Sequence, residues 1–322
     1  MTIPAPDQPG ARLLGAYSMA PADPVAETEL YDGVARLGVA GLEMPLPPEG
    51  APSLEPGWLA RNLRPEWDLL LTCIPTVMSR LGTDPAHGLA SADDASRRRA
   101  VADVARARDL ALHLADTHGR RQVTAIQVHS APGPDLGTRD AFARSLEEIL
   151  GWDTAGAEFL VEHCDALVDG QSAAKGFWTL EDEIATIRRV AGDAPAGTAL
   201  GVSINWGRSA IEGRSAQTAL AHLETAVEAG LLRALVLSGA SDVETPWGPA
   251  WGDAHIPPRG QDPALAASSA SLLGPDEVAA ALDVATRGGT DPLIAVKVSV
   301  RPRDVDVATR LAVARAALDL TR

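Results

Sequence analysis

Residues able to move protons or stabilise charge stand at the ends of several short apolar runs in this sequence. Glu43 follows Gly-Leu, His129 follows Ile-Gln-Val, Glu162 follows Phe-Leu-Val, and Lys297 follows Leu-Ile-Ala-Val. Carboxylates and imidazoles act as general acids and bases, and a buried lysine can polarise a carbonyl or form a Schiff base. These four residues are the candidate catalytic residues, and they favour proton transfer beside a carbonyl group.

The adjacent residues Glu162 and His163 cannot both face the same pocket if they belong to one strand, because side chains alternate between the two faces. We predict that Glu162 faces inward and that His163 packs outward against a helix or supports the site from behind. Lys297 lies within an apolar run and needs a partner if it is buried. A structural ion pair with Glu162 is the alternative to a catalytic role.

A second set of residues follows the later runs and could bind a substrate. The candidates are Asn205, Trp206, Arg208, Ser238, Trp247, Trp251, Asp253 and His255. Two tryptophans within a Gly/Pro-rich loop are typical of a lid that stacks on the apolar face of a sugar ring, and Trp206 could stack from the wall. The alternative is that these tryptophans anchor the loop.

Eight apolar runs alternate with amphipathic segments and therefore set the expected fold. They are Leu13–Tyr17, Gly41–Met44, Asp68–Ile74, Val123–His129, Phe159–Cys164, Leu200–Asn205, Ala234–Leu237 and Leu293–Val298. Short runs rich in Val, Ile and Leu are typical of strands buried on both faces of a parallel sheet. Eight strand–helix units predict a single (β/α)₈ TIM barrel, whose strand ends meet at one face. An open doubly wound sheet is disfavoured, because no glycine-rich phosphate loop follows the first run.

The predicted domain spans residues 1–322, with residues 1–12 as a flexible N-terminal arm. The connections after the third and seventh strands, 76–95 and 238–274, are predicted to be long, and the second is predicted to be an active-site loop. Capping pairs are predicted at Ser91-x-x-Asp94 and Thr179-x-x-Asp182, and a final helix over Asp304–Leu320.

Composition limits the classes of partner. The chain carries 28 Lys+Arg against 43 Asp+Glu, a net charge of −15, which argues against a nucleic-acid partner because phosphate binding needs a basic surface. No apolar stretch approaches the about 20 residues of a membrane span, and no secretion signal is recognised. The two cysteines, Cys73 and Cys164, are predicted to be buried thiols. We expect a cytoplasmic protein with a small-molecule substrate.

Local spacing gives no metal signature, since His-Glu-x-x-His and paired cysteines are missing. A site assembled from several strands, with Glu43, His129 and Glu162, stays open at this point.

Six motifs carry a family resemblance. They are LLGAY, GLEMP, VHSAP, VEHCDA, INWGRSAIEGRS and the loop W-G-D-x-H-x-P-P. They resemble the xylose isomerase-like, AP-endonuclease-type TIM barrel superfamily, which includes sugar isomerases and ketose epimerases. The whole chain resembles more closely an actinobacterial branch of that superfamily, a domain-of-unknown-function family. The resemblance implies a small polyhydroxylated or carbonyl substrate, isomerase or epimerase chemistry, and a homodimer.

The resemblance also implies where a divalent metal would be held, but most of those positions differ here. The superfamily uses Glu, Asp, His and Glu at the ends of strands five to eight, and these fall on Glu162, Asn205, Ser238 and Lys297. Arg208 stands where a histidine often follows the Asp. An ammonium in that cage would repel a cation.

We therefore predict that no cofactor is needed and that Lys297 supplies the positive charge of the metal. Glu162 is then the expected general base, with His129 or Glu43 as the partner acid, and Asn205 and Arg208 orient substrate oxygens.

Four alternatives stay open: a lyase or aldolase that uses Lys297, a hydrolase that pairs Glu43 with Glu162, a non-catalytic sugar-binding barrel, and a metal-dependent enzyme. A divalent Mn, Co or Zn ion would then be bound by Glu162, His129 and His255.

Overall fold

Eight parallel strands close into one barrel, in chain order from β1 to β8, with β8 paired to β1. The computed structural model describes residues 12–51, 53, 55–193, 200–287, 289 and 291–322. The strands are β1 Arg12–Leu14, β2 Gly41–Pro45, β3 Asp68–Thr72, β4 Val123–Val128, β5 Glu158–His163, β6 Leu200–Asn205, β7 Leu232–Leu237 and β8 Leu293–Val296. The predicted TIM barrel is confirmed, and each strand overlaps its predicted run.

Ten α-helices of the described residues surround the barrel. They are α1 Pro24–Ala35, α2 Pro56–Asn62, α3 Ile74–Leu81, α4 Asp94–His118, α5 Arg139–Leu150, α6 Leu180–Asp193, α7 Trp206–Glu212, α8 Ala216–Glu228, α9 Pro275–Arg287 and α10 Val307–Asp319. None of the helices in the described ranges is both long and apolar enough to cross a membrane.

The connection predicted over 76–95 is not one long loop, because α3 occupies its first part. Pro75 lies in the first turn of α3, where a missing backbone N–H costs nothing. Ile74 packs in a small buried cluster with Ala131, Cys164 and Phe177, and this contact holds the helix at the end of β3.

Two predicted capping pairs have different outcomes. Asp93 caps α4 by accepting the backbone N–H of Ser96 at 2.8 Å. The predicted cap at Ser91 is therefore wrong, since the helix is capped two residues later. The second pair is confirmed, since Thr179 Oγ1 accepts the backbone N–H of Asp182 at 3.2 Å. The last helix ends as predicted but begins later, at Val307, after an Asp306 cap.

The barrel interior has an apolar floor below a polar layer. The floor is a separate buried cluster of Leu13, Leu70, Ala125, Leu160, Ala234, Val236 and Ala295. Because inward-facing positions recur every second residue, the next inward residues along β2, β4 and β5 are Glu43, Gln127 and Glu162. The carboxyl end of the barrel is therefore lined by polar side chains.

Both chain ends of the described structure meet at the seam between β1 and β8. Arg12 begins β1 and donates to Thr321 through Nε (3.1 Å to Oγ1) and Nη2 (2.7 Å to the backbone oxygen). Arg12, predicted as the last residue of the N-terminal arm, belongs to β1, and residues 1–11 of that prediction lie outside the described residues.

The connection after β7, residues 238–274, folds back over the mouth of the barrel. Gly239 and Ile256 exchange backbone hydrogen bonds of 2.9 and 3.2 Å, and a 3₁₀ helix covers Pro263–Ser268. The backbone N–H of Ser299 donates to His255 O at 2.8 Å, which ties this loop to the segment after β8.

Candidate active site

A buried ion pair joins β2 to the residue after β8. Lys297 Nζ donates to Glu43 Oε1 at 2.8 Å, and both side chains are fully buried. The ring of Tyr17 lies beside this ammonium, with its centroid 5.1 Å from Nζ. Gly15 leaves the room for the pair, since a Cβ there would lie 2.6 Å from Glu43 Oε2. The alternative in which Lys297 pairs with Glu162 is wrong.

The protonation of this pair follows from its surroundings. Burial raises the pKa of Glu43 above its usual 4.5, against the opposing effect of Lys297. Burial alone would lower the pKa of Lys297, but the Glu43 carboxylate outweighs it and the pKa is raised. Lys297 is therefore an ammonium at every physiological pH.

Glu162 is held by four donors. Its Oε1 accepts from Arg208 Nη1 at 2.6 Å and from Asn205 Nδ2 at 3.3 Å, and its Oε2 accepts from His129 Nε2 at 2.8 Å and from Thr72 Oγ1 at 3.3 Å. Burial would raise the pKa of Glu162, but Arg208 and His129 hold it well below 4.5. A carboxylate so stabilised is a weak base.

The tautomer of His129 follows from its partner. Because the Glu162 carboxylate can only accept, His129 Nε2 carries the proton and Nδ1 is a bare lone pair. Burial lowers the pKa of His129 despite Glu162, so the ring is neutral. Nδ1 has no partner among the described residues.

Three buried acceptors on inward-facing positions lack donors within the described part of the chain: Glu43 Oε2, Gln127 Oε1 and His129 Nδ1. Asp165 Oδ1, after β5, also lacks one. Gln127 uses its amide nitrogen on Ser203 Oγ at 2.8 Å. An unsatisfied buried polar atom costs about 1–3 kcal/mol, so three together indicate a place for a ligand that donates hydrogen bonds.

A strap of charged side chains crosses the mouth above Glu162. Asp253, from the loop after β7, accepts from Arg208 Nε at 3.1 Å and pairs with Lys175 Nζ at 3.0 Å. His255 Nδ1 lies 3.4 Å from Asp253 Oδ1 and 2.9 Å from Ser238 Oγ. We call the Arg208–Asp253–Lys175 chain the mouth strap, and it links α7 to the loops after β5 and β7.

The same contacts determine the pKa values of Asp253 and His255. Burial would raise the pKa of Asp253, but Arg208, His255 and Lys175 hold it well below 3.8. Burial lowers the pKa of His255 to about 3, so its imidazole is neutral.

A cavity of roughly 370 Å³ opens beside the mouth strap. Its lining includes Tyr17, Asp253, His255, Ser299 and Arg301. This volume falls within the about 300–1,000 Å³ of small-molecule sites. Tyr17 is the connection to the interior, because its ring both lines the cavity and contacts Lys297.

The three predicted tryptophans lie in positions that favour anchoring over stacking on a ligand. Trp206 is 1% exposed within the hydrophobic core. Trp247 is also buried and donates through Nε1 to Ser299 O at 3.2 Å. The guanidinium of Arg214 lies over the ring of Trp251 at 5.3 Å.

His163 faces outward, as predicted, into a second buried group. Its Nδ1 lies 2.8 Å from Glu183 of α6 and its Nε2 lies 3.1 Å from Glu212 of α7, while the ring of His222 packs edge-on at 4.8 Å. Burial would lower the pKa of His163, but the two carboxylates raise it to about 10. We call these four residues the outer histidine cluster.

Sequence reasoning missed three residues of the site. Tyr17 closes the first predicted run, and Gln127 lies two residues before His129 and so shares its face, which means that both carried a usable signal. Lys175 carried none, because it lies in an irregular loop after β5, where the Asp165 carboxylate accepts its backbone N–H at 2.8 Å.

The interior residues do not fit the divalent metal of the superfamily. The ligand atoms of His129, Glu162 and Cys164 lie within 4.8 Å of one another. However, Arg208 Nη1 lies 2.6 Å from Glu162 and 3.4 Å from Cys164 Sγ, so a cation already fills this position. Burial also raises the pKa of the Cys164 thiol well above 9, which keeps it protonated. His255 lies at the mouth and does not join such a group among the described residues.

Comparison with known proteins gives the family. The model of a domain of unknown function, DUF4862, matches residues 13–313. The chain belongs to this family. An uncharacterised protein of Salmonella typhimurium is 34% identical over 254 residues, which cover 76% of this chain and 77% of that protein.

Solved structures give the same architecture at low identity. A xylose isomerase domain-containing protein of Salmonella typhimurium superposes with a TM-score of 0.57 at 11% identity, covering 97% of both chains. A xylose isomerase-like TIM barrel protein of Mycobacterium smegmatis, solved with magnesium, has a TM-score of 0.52 at 15% identity, covering 99% of this chain and 98% of that one. This family member therefore has the xylose isomerase-like TIM-barrel fold, while the actinobacterial placement stays a prediction.

Proposed function

We propose that this protein is a sugar isomerase- or epimerase-like enzyme that moves a proton beside the carbonyl of a small polyhydroxylated substrate, without a divalent metal in the barrel. The observation that carries the proposal is the set of unpartnered acceptors Glu43 Oε2, Gln127 Oε1 and His129 Nδ1 around a fixed ammonium. Sugar hydroxyls are donors of the kind that these acceptors need.

In this mechanism Glu43 is the general base, and Glu162 has a different role from the one expected from the resemblance. Glu43 has an oxygen without a partner among the described residues, and burial raises its pKa, and both properties suit a proton acceptor. Glu162 is locked by four donors and instead positions His129 and Arg208. His129 Nδ1 is then the acceptor for a substrate hydroxyl.

The proton and electron balance is simple. Glu43 takes the proton from the carbon next to the carbonyl, and the electron pair of that C–H bond moves into an enediolate. The oxygen of the enediolate is stabilised by the ammonium of Lys297. For isomerisation, Glu43 returns the proton to the neighbouring carbon, while His129 Nδ1 takes the proton of the hydroxyl that becomes the new carbonyl and passes it to the enediolate oxygen. For epimerisation, the same carbon must be protonated on its opposite face, and solvent supplies that proton while Glu43 keeps the one it removed.

The lyase alternative fits less well, because Schiff-base formation needs a neutral amine and the pKa of Lys297 is raised. The hydrolase alternative would use Glu162 as a second working carboxyl, and that carboxylate is already bound by Arg208 and His129.

The test is solvent deuterium wash-in. A panel of neutral aldoses and ketoses is incubated with the protein in D₂O, and deuterium at the carbon next to the carbonyl is followed by NMR. We expect exchange with one sugar or a small group of them. We expect Glu43→Gln to slow that exchange about 10²–10⁴-fold, the usual contribution of a general base. The exposed Glu147→Gln is the matched control.

Three outcomes would contradict the proposal. Unchanged deuterium exchange in Glu43→Gln would show that Glu43 is not the general base. Sugar binding without exchange would favour the non-catalytic barrel. A borohydride-trapped adduct on Lys297 would favour the lyase.

A further inference from the structure

The outer histidine cluster lies on the far side of β5 from the candidate active site. His163 comes from β5, Glu183 from α6, Glu212 from the last residue of α7, and His222 from α8. The side chains of His163 and Glu183 are fully buried, and those of Glu212 and His222 are 13% and 12% exposed. The cluster therefore has a buried inner part and a narrow opening to solvent.

Its spacing is that of a metal site. One nitrogen or oxygen from each of His163, Glu212 and His222 lies within 4.8 Å of the others. His163 Nε2 is 3.1 Å from Glu212 Oε2, and His222 Nε2 is 3.6 Å from Glu212 Oε1. Ligands at about 2.0 Å from a tetrahedral zinc ion are about 3.3 Å apart, which the two contacts of Glu212 already approach, while the two histidines need to close by at most about 1.5 Å.

The orientation of His163 is fixed from behind. Its Nδ1 faces Glu183 Oε2 at 2.8 Å, and Ser130 Oγ donates to the other Glu183 oxygen at 2.5 Å. With the Nδ1 proton held by this carboxylate, Nε2 points at Glu212 and His222. A carboxylate behind a histidine is the usual support of a metal-binding imidazole.

The charge of the outer histidine cluster and the unbonded ring nitrogen of His222 also suit a cation. The pKa of His163 is raised to about 10, so without a metal the imidazole is protonated and the cluster carries a charge of −1. A divalent ion that displaces the Nε2 proton of His163 would meet two carboxylates and two neutral imidazoles, whose charge of −2 balances it. His222 Nδ1 has no partner among the described residues, and the one carboxylate contact of Nε2 is 3.6 Å long, beyond a hydrogen bond. Glu212 is held in place separately, because the backbone N–H of Ala166 donates to it at 2.8 Å.

We propose that His163, Glu212 and His222 bind one divalent transition-metal ion, with Zn²⁺ favoured by the mixed nitrogen and oxygen ligands, and with Glu183 as the positioning residue of His163. The ion joins β5, α7 and α8 on the outside of the barrel. It takes no part in the chemistry proposed for Glu43 and Lys297, so either proposal can fail without the other.

The test is zinc binding by the full-length chain. The protein is stripped with EDTA, dialysed and titrated with Zn²⁺ against a chromophoric chelator. We expect one equivalent to bind, and a rise in Tm of roughly 5 °C with free zinc at about 100 times Kd. His222→Gln removes a ligand that makes no side-chain hydrogen bond within the described part of the chain, and we expect it to weaken zinc binding at least tenfold. The exposed His113→Gln is the control.

The positioning role has its own readout. Glu183→Gln keeps the shape but loses the charge behind His163, and we expect a 10–100-fold loss of zinc affinity. Substituting Co²⁺ should give the visible absorption of a nitrogen- and oxygen-ligated tetrahedral ion in the wild type and not in His222→Gln.

Two results would overturn the proposal. One is the failure of stripped wild-type protein to bind Zn²⁺ or Co²⁺ more tightly than His222→Gln does. The other is zinc binding that His129→Gln abolishes and His222→Gln leaves intact, which would place the ion inside the barrel.

Discussion

At the scale of single residues, the identity of a partner decides what each charged group can do. Glu43 and Glu162 are both buried carboxylates on inward positions, yet one faces a single ammonium and the other faces four donors. Their pKa values move in opposite directions for that reason. The proposed mechanism assigns the proton transfer to Glu43 for this reason, since fewer donors stabilise its carboxylate.

Arg208 holds two carboxylates, and its removal should be costly. Arg208→Met would leave Glu162 and Asp253 without their main counter-charge, and loss of one partner of a buried pair costs about 3–5 kcal/mol. We expect urea denaturation to show a fall of that size in the free energy of unfolding. Arg98→Met, in an exposed helical pair with Asp94, should change it by less than about 1 kcal/mol. Equal effects of the two variants would contradict the described network.

His255 should make the folded protein less stable at acid pH. Its pKa is lowered by burial to about 3 in the folded chain, against 6.5 for an ordinary histidine. The unfolded state therefore binds the extra proton between those values, and stability must fall as pH drops from about 6.5 towards 3. We expect the free energy of unfolding, measured by urea denaturation at pH 6.5, 5.5 and 4.5, to fall less with decreasing pH in His255→Gln than in the wild type. An unchanged pH dependence of the free energy of unfolding would show that other groups cause the loss of stability.

At the scale of elements, the strands were predictable and their partners only partly so. Strands buried on both faces are apolar throughout, which is why all eight runs were found. The pairing of Lys297 with Glu43 follows from the ring order, since β8 is two strands from β2 and three from β5. The sequence order alone did not reveal it, because Arg208, in the first turn of α7 directly after β6, takes the position beside Glu162. Helix α3 was missed because the segment from residue 76 onwards was predicted as a connection.

The mouth strap should control how the loops open. Lys175→Met removes the contact that joins the loop after β5 to Asp253 while Arg208 keeps its own. We expect amide hydrogen exchange to become faster around Lys175 and Asp253, with no change in β5 or β6, because local opening depends on local contacts. The exposed pair Arg139–Asp182 offers the control, through Arg139→Met. Exchange that rises equally in the strands would indicate global destabilisation instead.

At the scale of the whole molecule, closure of the barrel depends on the seam between its first and last strands. β1 has only three residues, and Arg12 supplements it with two bonds to Thr321. Arg12→Met should lower the free energy of unfolding by about 1.5–3 kcal/mol, as for hydrogen bonds to a charged group. Chemical denaturation measures this, with the exposed Arg188→Met as reference. No difference between the two would mean that the seam is stable without Arg12.

The homodimer and the cytoplasmic location stay predictions, since both depend on surfaces and surroundings beyond a single chain. Sedimentation of the purified protein measures the first against the 33.5 kDa mass of one chain.

The buried charges of the barrel top also determine which ligands the interior can accept. Glu43 and Glu162 are balanced by Lys297 and Arg208, so this layer is electroneutral. Under the proposed function, a neutral sugar would enter without disturbing that balance. A phosphate carried to the same depth would bring uncompensated charge into a region of low polarity, at a steep cost in solvation. The proposed substrate is therefore uncharged where it meets this layer, and an anionic group on it would lie at the rim, near Arg301 and Arg303.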